Sequence, residues 1–504
     1  MEEQVGNGMG VLDAETWTGK VHLDGAWVTG GGAPLQVREA ASGDVIAELG
    51  TASVGQVEEA ARTAARAQRD WAVLPPAARA AVLRRASDLF SKHADDITPW
   101  IVRESGGTWA KAATEVLAAV AECGEASALP THPHGDTLAT NKERWSLSRR
   151  LPAGVVSVIA PFNYPLTLAI RSVAPALALG NAVLLKPDPR TSVCGGVVLQ
   201  RIFEEAGLPA GVLQVLPGGS EIGAAVVNAP EVRIISFTGS TAAGLKVGEA
   251  AAQQMKRAHL ELGGNNAVMV LPGADVAAAA AAGAFASFLH QGQICQAAGR
   301  HLVHESQAEQ YISELARIAA SLVVGDPYRQ EGVQIGPVID ERQLTAIGAL
   351  VDKAVAAGAE VRAGGRAEGR CYLPTVLTGL DQRMPVWQDE IFGPVAPVLS
   401  YRTVDEAVDL VNSSPYGLSV AVLGDVGTAM TVADRIRSGI VHINEQTVGD
   451  EAMAPFGGMG ASGNGARFGG PEANYEAFTE TQWVTVRPTI ETYAVPSGRA
   501  PLNG

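Results

Sequence analysis

Between Val155 and Phe237 the chain alternates four short apolar runs with longer stretches of helical character. The runs are Val155-Val-Ser-Val-Ile, made mostly of β-branched residues that pack well on a pleated surface, then Ala182-Val-Leu-Leu, Val212-Leu-Gln-Val-Leu and Arg233-Ile-Ile-Ser-Phe. Of the segments between them, Ser192 to Ala206 reads as a helix stopped at Gly207-Leu-Pro209. Strands that alternate with helices predict a parallel sheet covered on both faces. The alternation resumes after Gly263: Asp275 to Leu289 is an Ala-rich helix, Arg300-His-Leu-Val-His a strand and Gln307 to Leu322 a helix. The pattern sets the fold class as α/β.

Outside the alternation, the first 20 or so residues are Gly-rich and polar and are expected to form a loose arm. Val21-His-Leu-Asp-Gly-Ala-Trp-Val predicts a hairpin about the turn dipeptide Asp24-Gly25. Ser53 to Asp96 is helical in pattern and broken at Pro75-Pro76, with Ser53 and Gln56 spaced as a capping box. Trp145-Ser-Leu-Ser-Arg-Arg-Leu and Thr479-Glu-Thr-Gln-Trp-Val-Thr-Val alternate apolar and polar residues as half-buried strands do. Neither has a place in the α/β run, so they pair with each other or with another subunit.

Composition narrows the function classes. A chain of 504 residues has length for roughly three domains, and 47% hydrophobic with 18% charged residues marks it as globular. A net charge of −15 argues against nucleic acid and against an anionic membrane surface. The N-terminus, Met1-Glu-Glu-Gln, has no basic n-region followed by an apolar run. The most apolar span, Gly154 to Lys186, is interrupted by Pro161, Asn163, Pro165, Arg171, Pro175 and Asn181 and is not expected to cross a bilayer. The expected location is cytoplasmic. The four cysteines, Cys123, Cys194, Cys295 and Cys371, form no C-x-x-C pair and give no zinc signature. In a reducing compartment they are expected as free thiols.

Four segments carry chemistry. Cys295 follows Gly292-Gln-Ile just beyond the Ala-rich helix, on a predicted loop where glycine lets the backbone approach a substrate. A thiolate there is a candidate nucleophile. Glu261 precedes Leu262-Gly263-Gly264, and a glutamate in an apolar, Gly-flanked turn can have its pKa raised toward neutrality and act as a general base. Asn163 follows the end of a predicted strand, where parallel sheets bind ligands, and its amide can donate to a developing oxyanion. Its ordinary alternative is an Asx turn ahead of Pro165. Lys186-Pro187 ends the second strand, and Phe237-Thr-Gly239-Ser240 joins the fourth strand to a helix in a turn suited to a pyrophosphate, although it is not G-x-G-x-x-G.

Together these segments resemble the aldehyde dehydrogenase superfamily along nearly the whole chain. The resemblance rests on Pro161-Phe-Asn163-Tyr-Pro, Lys186-Pro187, Phe237-Thr-Gly-Ser240, Glu261-Leu-Gly-Gly, Gly292-Gln-Ile-Cys295, Glu390-Ile-Phe392-Gly-Pro and Pro455-Phe-Gly-Gly, in that order. His290-Gln-Gly-Gln-Ile-Cys, Glu261-Leu-Gly-Gly-Asn-Asn and Lys186-Pro-Asp-Pro-Arg-Thr look most like benzaldehyde and related aryl-aldehyde dehydrogenases. The resemblance implies a Rossmann-like parallel-sheet NAD(P)-binding domain over residues 20–130 and 151–262, and an α/β catalytic domain over 263–455. It also implies a small β oligomerisation flap over 131–150 and 479–504 that holds a homodimer or homotetramer.

It also implies roles. Cys295 is the nucleophile, Glu261 the base, and Asn163 holds the oxyanion with the Cys295 backbone N–H. Lys186 binds the adenosine ribose, while Gly239 and Ser240 approach the pyrophosphate. Glu390 binds the nicotinamide ribose, with Phe392 beside the nicotinamide; Gly219 and Leu262 complete the cofactor set. Phe162, Tyr164, Leu168, Ile294 and Phe456 occupy substrate-tunnel positions, and their apolar, aromatic character suits an aryl aldehyde. The implied reaction is oxidation of an aldehyde to the acid through a thioester. An aliphatic aldehyde or semialdehyde, or transfer of the acyl group to coenzyme A, is the alternative. Acylating relatives usually lack the glutamate base, and Glu261 is present. Nothing resembles a Cys-His hydrolase dyad, and His290 is read as a packing or loop-tethering residue.

Two departures from the family pattern stand out. Many relatives carry a glutamate three residues after the lysine, where this chain has Pro189 followed by Arg190. NAD is the expected cofactor, with NADP left open because Arg190 can meet a 2′-phosphate. Some relatives place a second relay carboxylate after an arginine beyond Pro455-Phe-Gly-Gly; here Arg467 is followed by Phe468. Arg171 is close enough in sequence to the Asn163 motif to leave an anionic substrate open.

Overall fold

In the computed structural model, which describes residues 10–493 and residue 495, the first alternation folds into five parallel strands. They are β1 (Val155–Ile159), β2 (Ala182–Lys186), β3 (Leu213–Val215), β4 (Val232–Thr238) and β5 (Arg257–Glu261). Their spatial order is β5-β4-β1-β2-β3, every pairing parallel. The chain therefore runs outward from β1 in one direction and returns to continue in the other. Such a reversal opens a crevice at the carboxyl ends of the two strands beside it, here β1 and β4. The predicted hairpin, Lys20–Leu23 with Ala26–Thr29, joins the far edge antiparallel to β3. Asp24 and Gly25 both take positive φ, as its two-residue turn requires.

Four of the five strands are those the apolar runs predict. The fifth carries Arg257, His259 and Glu261 and so lacks a continuous apolar run. Only Leu262, Gly263, Gly264 and Asn265 separate β5 from the second sheet. That sheet comprises β6 (Asn266–Val270), β7 (Ala298–His304), β8 (Glu360–Ala363), β9 (Thr375–Thr378), β10 (Val395–Tyr401), β11 (Ser419–Leu423) and β12 (Ile440–Ile443). Its order is β8-β9-β10-β7-β6-β11-β12, with only β8 antiparallel to its neighbour. Glu261 thus stands where one sheet hands the chain to the other.

Six helices bear on the site and its supports: α1 (Ala94–Ser105), α2 (Trp109–Ala126), α3 (Pro165–Ala178), α4 (Ser220–Asn228), α5 (Thr241–Gln253) and α6 (Val276–Phe288). α3, directly after β1, is buried on every side and packs on α2. The capping box at Ser53 forms as its sequence signature predicts. The two unplaced strands pair with each other, Trp145 opposite Val486 through Pro152 opposite Thr479, and stand apart from both sheets as a ribbon with Trp145 and Trp483 exposed.

Two expectations need correction. The N-terminal arm is not loose from Gly10 onward: Val11, Leu12 and Trp17 are buried, and the Trp17 indole donates to the Leu12 carbonyl and meets Trp100 edge-on. Three apolar side chains suffice to dock it; residues 1–9 lie outside the described residues. The helix predicted over Ser192 to Ala206 opens with a π-helical turn, Val193–Val197, and becomes α-helical only over Val198–Glu205. The buried Glu104 carboxylate accepts from the N–H groups of Val193 and Cys194 there. The last residues of the proposed flap, 494 and 496–504, lie outside the described residues.

Candidate active site

Gly263 and Gly264 are the hub of the site. A methyl group on Gly263 would overlap the Glu390 carboxylate, and one on Gly264 would overlap the carbonyl oxygen of Cys295. Glu390 Oε1 accepts from the Gly264 N–H at 2.9 Å, and Asn266 Nδ2 donates to the Cys295 carbonyl at 2.7 Å. Three stretches far apart in sequence, those of Glu261, Cys295 and Glu390, therefore meet around two residues without side chains. The glycines have a structural reason. They admit neighbouring protein atoms, and Gly292 does the same, since a side chain there would overlap the Gly393 carbonyl.

Cys295 is half-buried in a turn beyond α6. The turn is built from three consecutive left-handed residues, His290 (φ 47°), Gln291 (φ 57°) and Gly292 (φ 66°). Two of these carry side chains, a conformation of the kind that persists only where surroundings enforce it. The enforcing contacts are Gln291 Nε2 donating to the Gly106 carbonyl at 3.0 Å, the Gln293 N–H donating to the His290 carbonyl, and Gln293 Oε1 accepting from the Ile339 N–H. Burial pushes the Cys295 thiol up to about 12; the Arg171 guanidinium opposes this, while the carboxylates of Glu390, Glu261 and Asp450 add to it.

Glu261 ends β5 and is 2% exposed. Neither carboxylate oxygen has a hydrogen-bond partner among the described residues. Burial pushes its carboxyl up to about 8, against the pull of Arg171 and Arg467. The neighbouring N–H of Leu262 donates to the Ser462 carbonyl, so the Gly-rich segment after Phe456 lies along this strand. Asn163 is buried in the short link from β1 to α3, at the carboxyl edge of the first sheet.

The five tunnel candidates divide by what they touch. The Phe162 ring lies under the Arg190 guanidinium (4.1 Å) and edge-on to Phe392 (5.8 Å). Tyr164 lies between Lys111 Nζ (4.5 Å) and the His290 ring (5.5 Å). Leu168 on α3 and Ile294 beside Cys295 are buried. Phe456 lies under the Arg171 guanidinium at 4.3 Å. Arg171 is not a free cation, because its Nη1 donates to Asp450 Oδ2 at 3.1 Å. Asp450 and Glu122 are carboxylates that sequence reasoning missed. Asp450 sits next to Gly449, whose carbonyl accepts from Gln296 Nε2, directly after Cys295. No motif announces either residue. Among the described residues no group of three or more His, Cys, Asp or Glu is placed to hold a metal ion.

The crevice side has the features of a dinucleotide site. Gly219 precedes α4, a helix with no side-chain cap, and a Cβ there would meet open space. Such an N-terminus presents free N–H groups to a phosphate. Ser240 caps α5 through the Ala243 N–H, leaving the Gly239-Ser240 backbone at the carboxyl end of β4. Leu262 packs against Gly244 in the first turn of α5. Lys186 ends β2, buried, its ammonium held down by burial with Asp188 opposing. Phe392, at φ 50°, meets Phe162 edge-on, and the Glu390 carboxylate lies against Gly263. Burial holds the Glu390 carboxyl up at about 7. Arg190 is bonded to Asp188 through Nε and Nη2 (2.9 Å each) and to Asp340 through Nη1 (2.8 Å).

Comparison with known proteins gives a consistent result. The sequence model described as the aldehyde dehydrogenase family matches residues 27–484. The chain is 54% identical over 486 residues to a vanillin dehydrogenase of an Amycolatopsis species, covering 96% of this chain and 100% of that one. It is 45% identical over 472 residues to a benzaldehyde dehydrogenase [NAD(+)] of Pseudomonas putida, covering 93% and 96%. Among solved structures, a salicylaldehyde dehydrogenase from Pseudomonas putida G7, complexed with salicylaldehyde, superposes with a TM-score of 0.91 at 34% identity, covering 94% and 99%.

Proposed function

The chain belongs to the aldehyde dehydrogenase family, an oxidoreductase acting on aldehydes with NAD(P), and we propose that it oxidises an aromatic aldehyde to the carboxylic acid through a thioester on Cys295. The observation that carries the reading is the meeting of Cys295, Glu261 and Glu390 around Gly263 and Gly264. Two relatives named for vanillin and benzaldehyde support the aromatic substrate. So does the apolar character of Leu168, Ile294 and Phe456.

In this reading the Cys295 thiol gives its proton to solvent and its sulfur attacks the aldehyde carbon. The Asn163 side-chain amide and the Cys295 backbone N–H donate to the oxyanion that forms. The nicotinamide, when bound, supplies the hydride acceptor. Collapse of the adduct leaves the acyl group on the Cys295 sulfur. Glu261 takes a proton from water, the water oxygen bonds to the acyl carbon, and the carbon–sulfur bond breaks to release the acid and the thiolate. A carboxyl near 8 is neutral for part of the working range and ionised for the rest, so Glu261 can take that proton and return it to solvent.

The cofactor is held by Lys186, Gly219, Gly239, Ser240, Leu262, Glu390 and Phe392, and NAD is preferred over NADP. The assembly is a homodimer or homotetramer built through the ribbon of residues 145–152 and 479–486, whose exposed Trp145 and Trp483 suit a partner surface. Residues 20–130 and 151–262 form the cofactor domain, 263–455 the catalytic domain, and 131–150 with 479–504 the flap. Among the described residues no helix is long and apolar enough to cross a membrane, and the proposed compartment is the cytoplasm. The test is a panel of aromatic and aliphatic aldehydes assayed with each cofactor, without coenzyme A. Benzaldehyde-type substrates are expected to give the highest kcat/KM, with acid as product. A preference for aliphatic aldehydes, or no acid without coenzyme A, overturns the reading.

A further inference from the structure

We propose that the buried Lys111–Glu115 pair on α2 is a positioning device for the oxyanion site, clamping the turn that carries Asn163 and, through Tyr164, bracing it against the turn that carries Cys295. The inference rests on the reading of Asn163 as the oxyanion donor.

The observation begins with a helix that lacks a cap of its own. α3 starts at Pro165, and its N-cap residue, Tyr164, makes no side-chain capping bond. The first-turn N–H groups of Leu166 and Thr167 donate instead to Glu115 Oε2, at 3.0 and 3.3 Å. The other Glu115 oxygen accepts from Lys111 Nζ, one turn earlier on α2. The two side chains are 0% and 1% exposed. Lys111 Nζ also contacts Ser105 Oγ at 3.3 Å and lies 4.5 Å from the Tyr164 ring centre. One ion pair thus grips Tyr164, Leu166 and Thr167, directly after Asn163.

The same pair reaches the other half of the site. Tyr164 meets the His290 ring edge-on at 5.5 Å, and His290 opens the left-handed turn that leads to Cys295. Both His290 ring nitrogens lack partners among the described residues, and burial, with Lys111 adding to it, pushes the imidazole well below its ordinary value. Gln291 donates to the carbonyl of Gly106, in the link between α1 and α2. The α1–α2 junction therefore touches both turns that converge on the oxyanion position.

Stability alone does not account for such a device. A Ser or Asp at the N-cap closes a helix start locally. A sealed ion pair carries a desolvation cost that well-packed apolar residues avoid. What a cap supplied from another helix adds is location, because it fixes where α3 begins relative to α2. A donor to an oxyanion has to be held to within about half an ångström.

The test separates oxyanion formation from thiol reactivity. In cofactor-free protein, p-nitrophenyl acetate acylates Cys295 through a tetrahedral oxyanion, whereas iodoacetamide alkylates the same sulfur without one. The double variant Lys111→Met/Glu115→Gln is expected to slow the acylation burst about 10- to 100-fold, less than the roughly 100- to 1000-fold that removal of a whole oxyanion donor costs. Alkylation and the Kd for NAD are expected to stay within about threefold. On top of Asn163→Ala, the double substitution is expected to add less than about twofold, since the donor it positions is gone. Glu115→Gln alone keeps an acceptor for α3 and carries the decision if the double variant does not fold; its expected loss is about 3- to 10-fold in acylation only. An unchanged burst, equal losses in acylation and alkylation, or a full multiplicative loss beyond Asn163→Ala overturns the positioning role. If Asn163→Ala itself acylates at the normal rate, the donor assignment fails, and the positioning role fails with it.

Discussion

Arg171, sealed at 2% exposure, donates to Asp450 at 3.1 Å, so a carboxylate stands against the cation that most favours ionisation of both Cys295 and Glu261. The pair sets the resting state of the site. Arg171 offsets burial and the surrounding carboxylates only in part, and the thiol rests protonated. Removing the Asp450 charge frees the guanidinium and deletes one carboxylate that opposes thiolate formation. Asp450→Asn is therefore expected to speed iodoacetamide alkylation of Cys295 at pH 8 by about 3- to 10-fold, roughly half to one pKa unit. A slower reaction would place Asp450 in a supporting rather than an opposing role.

Glu261 gives a prediction about the second half-reaction. Its carboxyl sits near 8 because burial disfavours the charge, and a base works only when ionised. Hydrolysis of a preformed acyl-enzyme is expected to rise with pH to a plateau, with a midpoint near 8. Glu261→Gln is expected to keep the acylation burst and lose turnover by about 100-fold or more. Single-turnover measurements at pH values on both sides of that midpoint check both statements.

The Gly264–Cys295 contact predicts a loss with no polar group removed. Ala at 264 would overlap the Cys295 carbonyl oxygen, and backbone cannot yield as a flexible side chain can. Gly264→Ala is expected to lower kcat/KM by about 100-fold, since a displacement of about 1 Å at the nucleophile is enough for that. The folded content, read by circular dichroism, is expected to persist. A variant with near-normal kcat/KM would show that this contact does not set the sulfur's position.

Most of the parallel-sheet fold is legible because it is written in local signals. The runs at Val155, Ala182, Val212 and Arg233 are short and apolar, and each is a strand. β5 is not legible, because a strand that carries Arg257, His259 and Glu261 breaks the apolar pattern. In the candidate site, Cys295, Glu261 and Asn163 stand out by their glycine, strand-end and family-motif contexts. Asp450, Glu115 and Lys111 do not. Their positions follow from which helices and loops pack together, and no short-range pattern records that. The glycines do mark close approach, here by protein atoms, since a sequence shows where a side chain is missing and not what fills the gap.

Glu122 links the site to stability. It is buried on α2, with its carboxyl pushed up to about 8 by burial and by Asp450. Its folded pKa lies above the ordinary value of 4.5. Its contribution to folding is therefore complete below about pH 4.5 and is lost as pH rises through about 8. A neutral amide has no such dependence. Glu122→Gln is expected to raise Tm relative to the unsubstituted protein by an amount that grows from about pH 6 to about pH 8.5, and calorimetry at several pH values checks it. A difference independent of pH would mean that Glu122 is not the group that titrates.

The proposed preference for NAD can be tested through how Arg190 is held. Its guanidinium is bonded to Asp188 and Asp340 and lies over Phe162 at 4.1 Å, which leaves it little freedom to reach a 2′-phosphate. Asp188 itself stands two residues beyond Lys186, where its negative charge opposes an added phosphate and satisfies the neighbouring cation. Both effects favour NAD. Removing the Asp188 carboxylate deletes the repulsion and releases two of the three bonds that tether Arg190. Asp188→Ala is therefore expected to raise kcat/KM with NADP by about fivefold or more, equivalent to about 1 kcal/mol, while kcat/KM with NAD stays level or falls. Asp340→Ala leaves the Asp188 tether in place and is expected to move the NADP value less. If neither substitution improves NADP use, the 2′-position lies away from Arg190, and the preference is set by other groups around Lys186.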